Sequence, residues 1–184
     1  MFLVPGAAPA QALDGDDFDT FIEMSVNRCL DPMEAGEAAD LAGLRPVTNV
    51  ERTVFTDNAG TSDDRVVLDQ HVIRGLRWCE VATNEIAAQF SGDDGFEQVA
   101  EVLDGLAVQL LERGYVEEGP CEISGFVLSG ARMLENGDYL RRFSGQTDTR
   151  AELRLNIDLS AARYTGDVGM RVEEHYGPPM RGCT

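Results

Sequence analysis

The sequence predicts an α+β fold in which two amphipathic helices pack on antiparallel β-meanders. Three observations carry this. Two runs have helical apolar periodicity, each is followed by β-like sequence, and at least one later run alternates apolar and polar residues at every step.

The first helix is read from Phe18, Phe21, Ile22, Ser25, Val26, Cys29 and Leu30, which fall on one continuous face at 3.6 residues per turn. Asp16 or Asp17 is placed to cap it, and the acidic start suits the positive end of the helix dipole. Pro32 is expected to end or kink the helix. β-like runs follow over 47–56, 65–73 and 76–81, with a turn-rich acidic stretch over 57–64 between the first two.

The second helix repeats the pattern through Phe96, Val99, Ala100, Leu103, Leu106, Ala107, Leu110 and Leu111. Asp94 with Glu97 makes a capping-box-like start, and Gly114 stands where a C-terminal glycine belongs. A β-like run over 122–134 leads to Asn136-Gly137, a type I′ hairpin signal, with 139–143 as the return strand. Ala151, Leu153, Leu155, Ile157 and Leu159 then alternate with Glu152, Arg154, Asn156 and Asp158, the mark of a half-buried strand. Met170, Val172, Glu174 and Tyr176 suggest a last strand, ended by Gly177-Pro178-Pro179.

The order helix, strands, helix, strands divides the chain into a helix-plus-meander half over 13–90 and a second over 91–184, expected to form one compact unit. A degenerate duplication is one reading of this order. It matches Phe18 with Phe96, and Leu41-Ala42-Gly43-Leu44 with Glu112-Arg113-Gly114-Tyr115 as helix ends, leaving 31–38 as extra loop in the first copy.

Residues 1–12 read as the tail of a secretory signal. A short apolar stretch from Phe2 leads to Ala10-Gln11-Ala12, an A-x-A cleavage pattern, and the mature chain would start at Leu13. No stretch approaches the roughly 18 apolar residues of a membrane helix, so no membrane insertion is expected. Cys29, Cys79, Cys121 and Cys183 contain no C-x-x-C pair and lack the close spacing of structural zinc ligands. In an exported chain, an even number of cysteines reads as disulfides, with Cys29–Cys79 and Cys121–Cys183 preferred because each closes one half. The expected location is the periplasm or the medium.

The formal net charge is −18, and all 15 basic residues are arginine. Such a charge repels nucleic acid and anionic lipid, and it favours a basic protein or a cationic ligand as partner. The absence of lysine reflects a GC-rich, bacterial coding bias.

The chemistry-bearing residues form no recognisable catalytic motif. Ser129 and Ser144 precede glycines but lack the glycine of G-x-S-x-G on the other side. His71 falls in a strand opposite in facing to Leu68 and Val72, and His175 stands beside Glu173 and Glu174 near the C-terminus. The carboxylate pairs fit structural roles: Asp93-Asp94 a helix start, Glu117-Glu118 a solvated turn, Asp63-Asp64 a loop rim. No EF-hand spacing is present, and no metal site or cofactor is expected. Trp78, the only tryptophan, lies between Arg77 and Cys79, and this Arg-Trp pair is the candidate interface.

The sequence therefore points to a non-catalytic binding or accessory protein of the bacterial envelope. The alternatives are a small hydrolase using carboxylates with His175 or His71, and a calcium-stabilised structural domain using the loop over 57–64.

Overall fold

The computed structural model describes residues 15–48, 53–56, 66–83, 93–118, 122–123, 126–127, 139–146, 152–161 and 168–177. Residues 1–12, read as a signal tail, residues 57–64, Asn136-Gly137, Ser129, Cys121 and Cys183 lie outside them.

The first helical segment does not stop at Pro32. It runs as α1 (Gly15–Glu23), a π-helical stretch (Met24–Leu30) and α2 (Asp31–Glu34), with helical dihedrals at both junctions. Proline has no N–H for the carbonyl of residue i−4, and its ring collides with that carbonyl in a regular α-helix. Here the turn before it widens: the Asp31 N–H donates to Val26 O, five residues back. The Arg28 carbonyl instead accepts from the Asp40 N–H at 2.8 Å. The wide turn also rotates the buried stripe. Met24 and Cys29, then Ser25 and Leu30, are buried at a spacing of five, and Met33 extends the stripe. Ile22 and Val26, expected inside, are only partly covered.

This helix ends in a Schellman motif. Gly36 (φ +78°) donates to Met33 O at 3.1 Å, and Glu37 to Pro32 O at 2.8 Å. The second helix, α3 (Asp93–Glu112), ends the same way: Gly114 (φ +89°) donates to Leu111 O and Tyr115 to Leu110 O, both at 3.0 Å. Leu41–Leu44 is therefore not a helix end, contrary to the sequence reading. It belongs to the loop after α2, which Arg28 pins through Nη1 to Ala42 O at 2.7 Å. The matching of helix ends on which the duplication rested is lost with it.

The strands are β1 (Arg45–Thr48), β2 (Thr53–Thr56), β3 (Val66–Ile73), β4 (Leu76–Thr83), β5 (Val116–Glu118), β6 (Glu122–Ile123), β7 (Phe126–Val127), β8 (Tyr139–Gln146), β9 (Leu153–Ala161) and β10 (Val168–Tyr176). Eight of them form one sheet in the order β1-β2-β3-β4-β10-β9-β8-β5, every pairing antiparallel, while β6 and β7 pair separately. The fold is α+β with the sheet dominant. The run read as one strand over 47–56 is split between β1 and β2, which pair with each other. Glu117-Glu118, read as a turn, lies in the edge strand β5. β3 and β4 are joined by Arg74-Gly75, both with positive φ (56° and 82°), as a type I′ turn requires.

Both helices cover the same face. The core brings Phe21, Met24 and Leu30 together with Val99, Leu103, Leu106 and Leu110 over Leu68, Val81, Met170, Val172, Leu155, Ile157 and Phe143. Strand β9 alternates buried and half-buried residues along its whole length, as its sequence predicts. The sulfurs of Cys29 and Cys79 meet at disulfide-bonding distance, with Cα atoms 5.8 Å apart, tying the π-helical stretch to the middle of the sheet.

Candidate functional site

Arg77 and Trp78 are neighbours in β4, so their side chains leave the sheet on opposite faces. Arg77 shares the helix face with Cys79. Its backbone N–H donates to Glu174 Oε2 at 2.8 Å and its Nε to Glu174 Oε1 at 3.0 Å. Its Nη2 also bonds Glu174 Oε1, and its Nη1 reaches the Gly36 carbonyl at the end of the first helix. The side chain is 18% exposed and that of Glu174 is 2% exposed. Arg77 thus holds the C-terminus of a helix against two strands, where its charge complements the negative end of the helix dipole.

Trp78, half-buried, stands on the other face, which the described helices do not cover. The register arranges that face in rows running across the strands. One row is charged: Asp69 pairs with Glu80, Glu80 with Arg171, Arg171 with Asp158, Asp158 with Arg142, and Arg142 with Glu118. The signs alternate from Glu80 onward, which is how cross-strand charges stabilise a sheet. Arg142 forks onto both oxygens of Asp158 through Nε and Nη2, at 2.6 Å each. This hydrogen-bonded carboxylate raises the pKa of Arg142 against the opposing effect of burial, and the charges of Glu118 and Glu173 add to it. Arg171 Nη2 donates to Glu80 Oε1 at 3.1 Å.

The next row contains His71, Trp78, Glu173, Asn156 and Ser144. The His71 and Trp78 rings lie 4.9 Å apart, centroid to centroid, at 52°. Arg171 Cζ lies over the indole, 5.3 Å from its centroid. His71 Nε2 is 3.2 Å from Oδ1 of Asp69, a carboxylate whose side chain is 5% exposed. An aromatic ring between a guanidinium and an imidazole, rimmed by Asp69, Glu80 and Glu173, makes a surface suited to cations.

A second polar cluster sits at the edge near α3. Arg141 bonds both oxygens of Glu117 through Nε at 2.7 Å and Nη2 at 2.6 Å, and it bonds Asp104 through Nη1 at 2.8 Å. The bond from Arg141 holds the Glu117 carboxyl below its ordinary pKa, and that from Glu117 holds Arg141 above its own. Tyr139 donates to Asp104 at 2.8 Å, and burial first, then this bond, pushes its hydroxyl well above the usual tyrosine range. The cluster locks β5, β8 and α3 together.

Of the residues considered for hydrolysis, His71 meets a carboxylate, that of Asp69 at 3.2 Å, while the two histidines stand on different strands, β3 and β10. His71 pairs across the strands with Trp78, and His175 with Arg154, so the cross-strand neighbour of each is an aromatic ring or a cation and not a nucleophile. Ser144 is buried in β8 between Asn156 and Val116. Among the described residues, no three His, Cys, Asp or Glu side chains converge as a metal-binding set. Also among them, no helix is long and apolar enough to cross a membrane. Sequence reasoning singled out Trp78 but missed Arg171, Glu80 and Asp69, and it noted Glu173 only beside His175. Only the strand register brings these together, although the alternation of β10 already places Arg171 and Glu173 on one face.

No family model matches the chain, and neither a curated protein nor a solved structure does.

Proposed function

We propose that the chain is an exported, soluble binding or accessory protein of the bacterial envelope, acting without catalysis, and that a basic partner docks on the open sheet face around Trp78. The observation that carries this is the placing of the single tryptophan among Asp69, Glu80 and Glu173 on a face that the described helices do not cover. The net charge of −18 adds long-range attraction for a cationic partner. The apposed Cys29 and Cys79 support an oxidising compartment, where such a bond persists.

Trp78 supplies the measurement, since its fluorescence is that of the whole protein's tryptophan. Titration with a mixed Arg/Lys decapeptide at low salt should shift the emission, with affinity falling as salt rises. Glu80→Gln with Glu173→Gln should weaken binding more than Glu37→Gln with Glu112→Gln, which removes the same charge from exposed positions elsewhere. Equal weakening would reject the open face as the site. For the compartment, non-reducing peptide mapping of natively expressed protein should recover Cys29 linked to Cys79; both found as thiols would reject export.

A further inference from the structure

We infer that the group recognised on this face is a guanidinium, and that Arg171 occupies the place an arginine of the partner takes. The inference rests on the binding reading above and adds to it the chemistry of the bound group. Arg171 lies over the Trp78 ring at 5.3 Å and donates to Glu80 at 3.1 Å. A planar guanidinium with several donors lies over an aromatic face and donates to a neighbouring carboxylate at the same time more readily than a compact ammonium does.

Arg171 is also more readily displaced than Arg77, Arg141 or Arg142. Arg142 and Arg141 fork onto both oxygens of a carboxylate, and Arg77 is built into the join between helix and sheet. Their side chains are 27%, 25% and 18% exposed, whereas that of Arg171 is 46% exposed and its bond to Glu80 runs through one nitrogen. Exposed ion pairs and exposed cation–π contacts are weak, so an incoming arginine competes with Arg171 without disturbing the sheet. The register supplies the reason for a replacement to bind. Glu80 and Asp158 stand directly across from Arg171 on its two neighbouring strands, and Glu173 stands across from Trp78, so carboxylates border the indole face. When Arg171 swings outward, an indole face and a carboxylate are exposed together in a negative field.

Calorimetric titration of tetra-arginine and tetra-lysine into wild type, Arg171→Gln, Trp78→Leu and the double variant tests this. Tetra-arginine should bind wild type more tightly than tetra-lysine. Arg171→Gln should raise the affinity for tetra-arginine by about three- to fivefold, the worth of one exposed cation–π contact, and Trp78→Leu should abolish that gain. An equal gain for tetra-lysine, or a gain that survives in the double variant, would show bulk charge at work and overturn the inference while leaving the binding reading standing. Failure of both peptides to bind wild type and Arg171→Gln would overturn the binding reading itself. If Trp78→Leu does not fold, replacing the only tryptophan with fluorinated tryptophans decides the matter. Affinity for tetra-arginine in Arg171→Gln should fall stepwise with fluorination, and unchanged affinity overturns the inference.

Discussion

Arg77 and Glu174 show how much one pair of side chains can carry. Glu174 is among the few charged residues buried in the described chain, and Arg77 meets it with both its backbone N–H and its guanidinium. Truncating Arg77 removes charge-assisted hydrogen bonds to a buried carboxylate while the backbone N–H bond to Glu174 stays, which costs about 1–3 kcal/mol. Arg77→Ala should lower the unfolding free energy in urea by about that amount, while Arg77→Met with Glu174→Leu should lose much less. Glu117 is a milder case, with a side chain 38% exposed beside Arg141. Because its folded pKa is lowered, its contribution is present at neutral pH and is lost as pH falls through that folded value. Glu117→Gln should therefore cost less than about 1 kcal/mol at pH 7, and its stability should converge with that of wild type in acid.

At the scale of elements, two contacts decide how the helices sit. The Tyr115 ring, just past the end of α3, lies against Gly145 of β8: a methyl group there would come within 2.6 Å of its Cδ1. Tyr115 in turn donates to Glu34 at 2.9 Å, and Arg113 bonds Asp31 at 2.6 Å and Glu34 at 2.8 Å, so the ends of both helices are clamped together. Gly145→Ala should push the ring aside and destabilise the protein by about 1–3 kcal/mol, with a change in tyrosine near-UV circular dichroism that a purely local strand defect would not give. The second contact is Cys29–Cys79, which spans 50 residues of chain. On the chain-entropy account, closing a loop of that size is worth up to ~4 kcal/mol. Reduction should lower the urea midpoint accordingly, and the Cys29→Ala, Cys79→Ala protein should no longer respond to reductant.

Over the whole molecule, the charge of −18 opposes compactness through self-repulsion, and salt screens it. Raising sodium chloride from about 10 mM to 150 mM, which shortens the screening length from about 30 to 8 Å, should raise the melting temperature. A fall would mean that the ion-pair rows outweigh the repulsion. The same screening should weaken peptide binding at the Trp78 face, so stability and binding should move in opposite directions with salt.

What the sequence determined by itself is local and periodic. The apolar stripe of α3, the alternation of β9, Gly114 as a helix stop and the opposite facing of Trp78 and Cys79 all follow from spacing along one segment, since side-chain direction repeats with the backbone; which of the two faces the helices cover does not. Pro32 misled because the helix had a second way to accommodate it, a wide turn whose freed carbonyl is satisfied by Asp40 from beyond the helix end. Gly36 went unread as the true stop for the same reason. Tertiary structure alone decided what lies beside what. The pairing of β4 with β10 joins segments far apart in sequence, and it alone sets Arg171 and Glu173 around Trp78 and buries Glu174 against Arg77. Strand register depends on which faces find a common core, a property of the assembled sheet that no single strand carries.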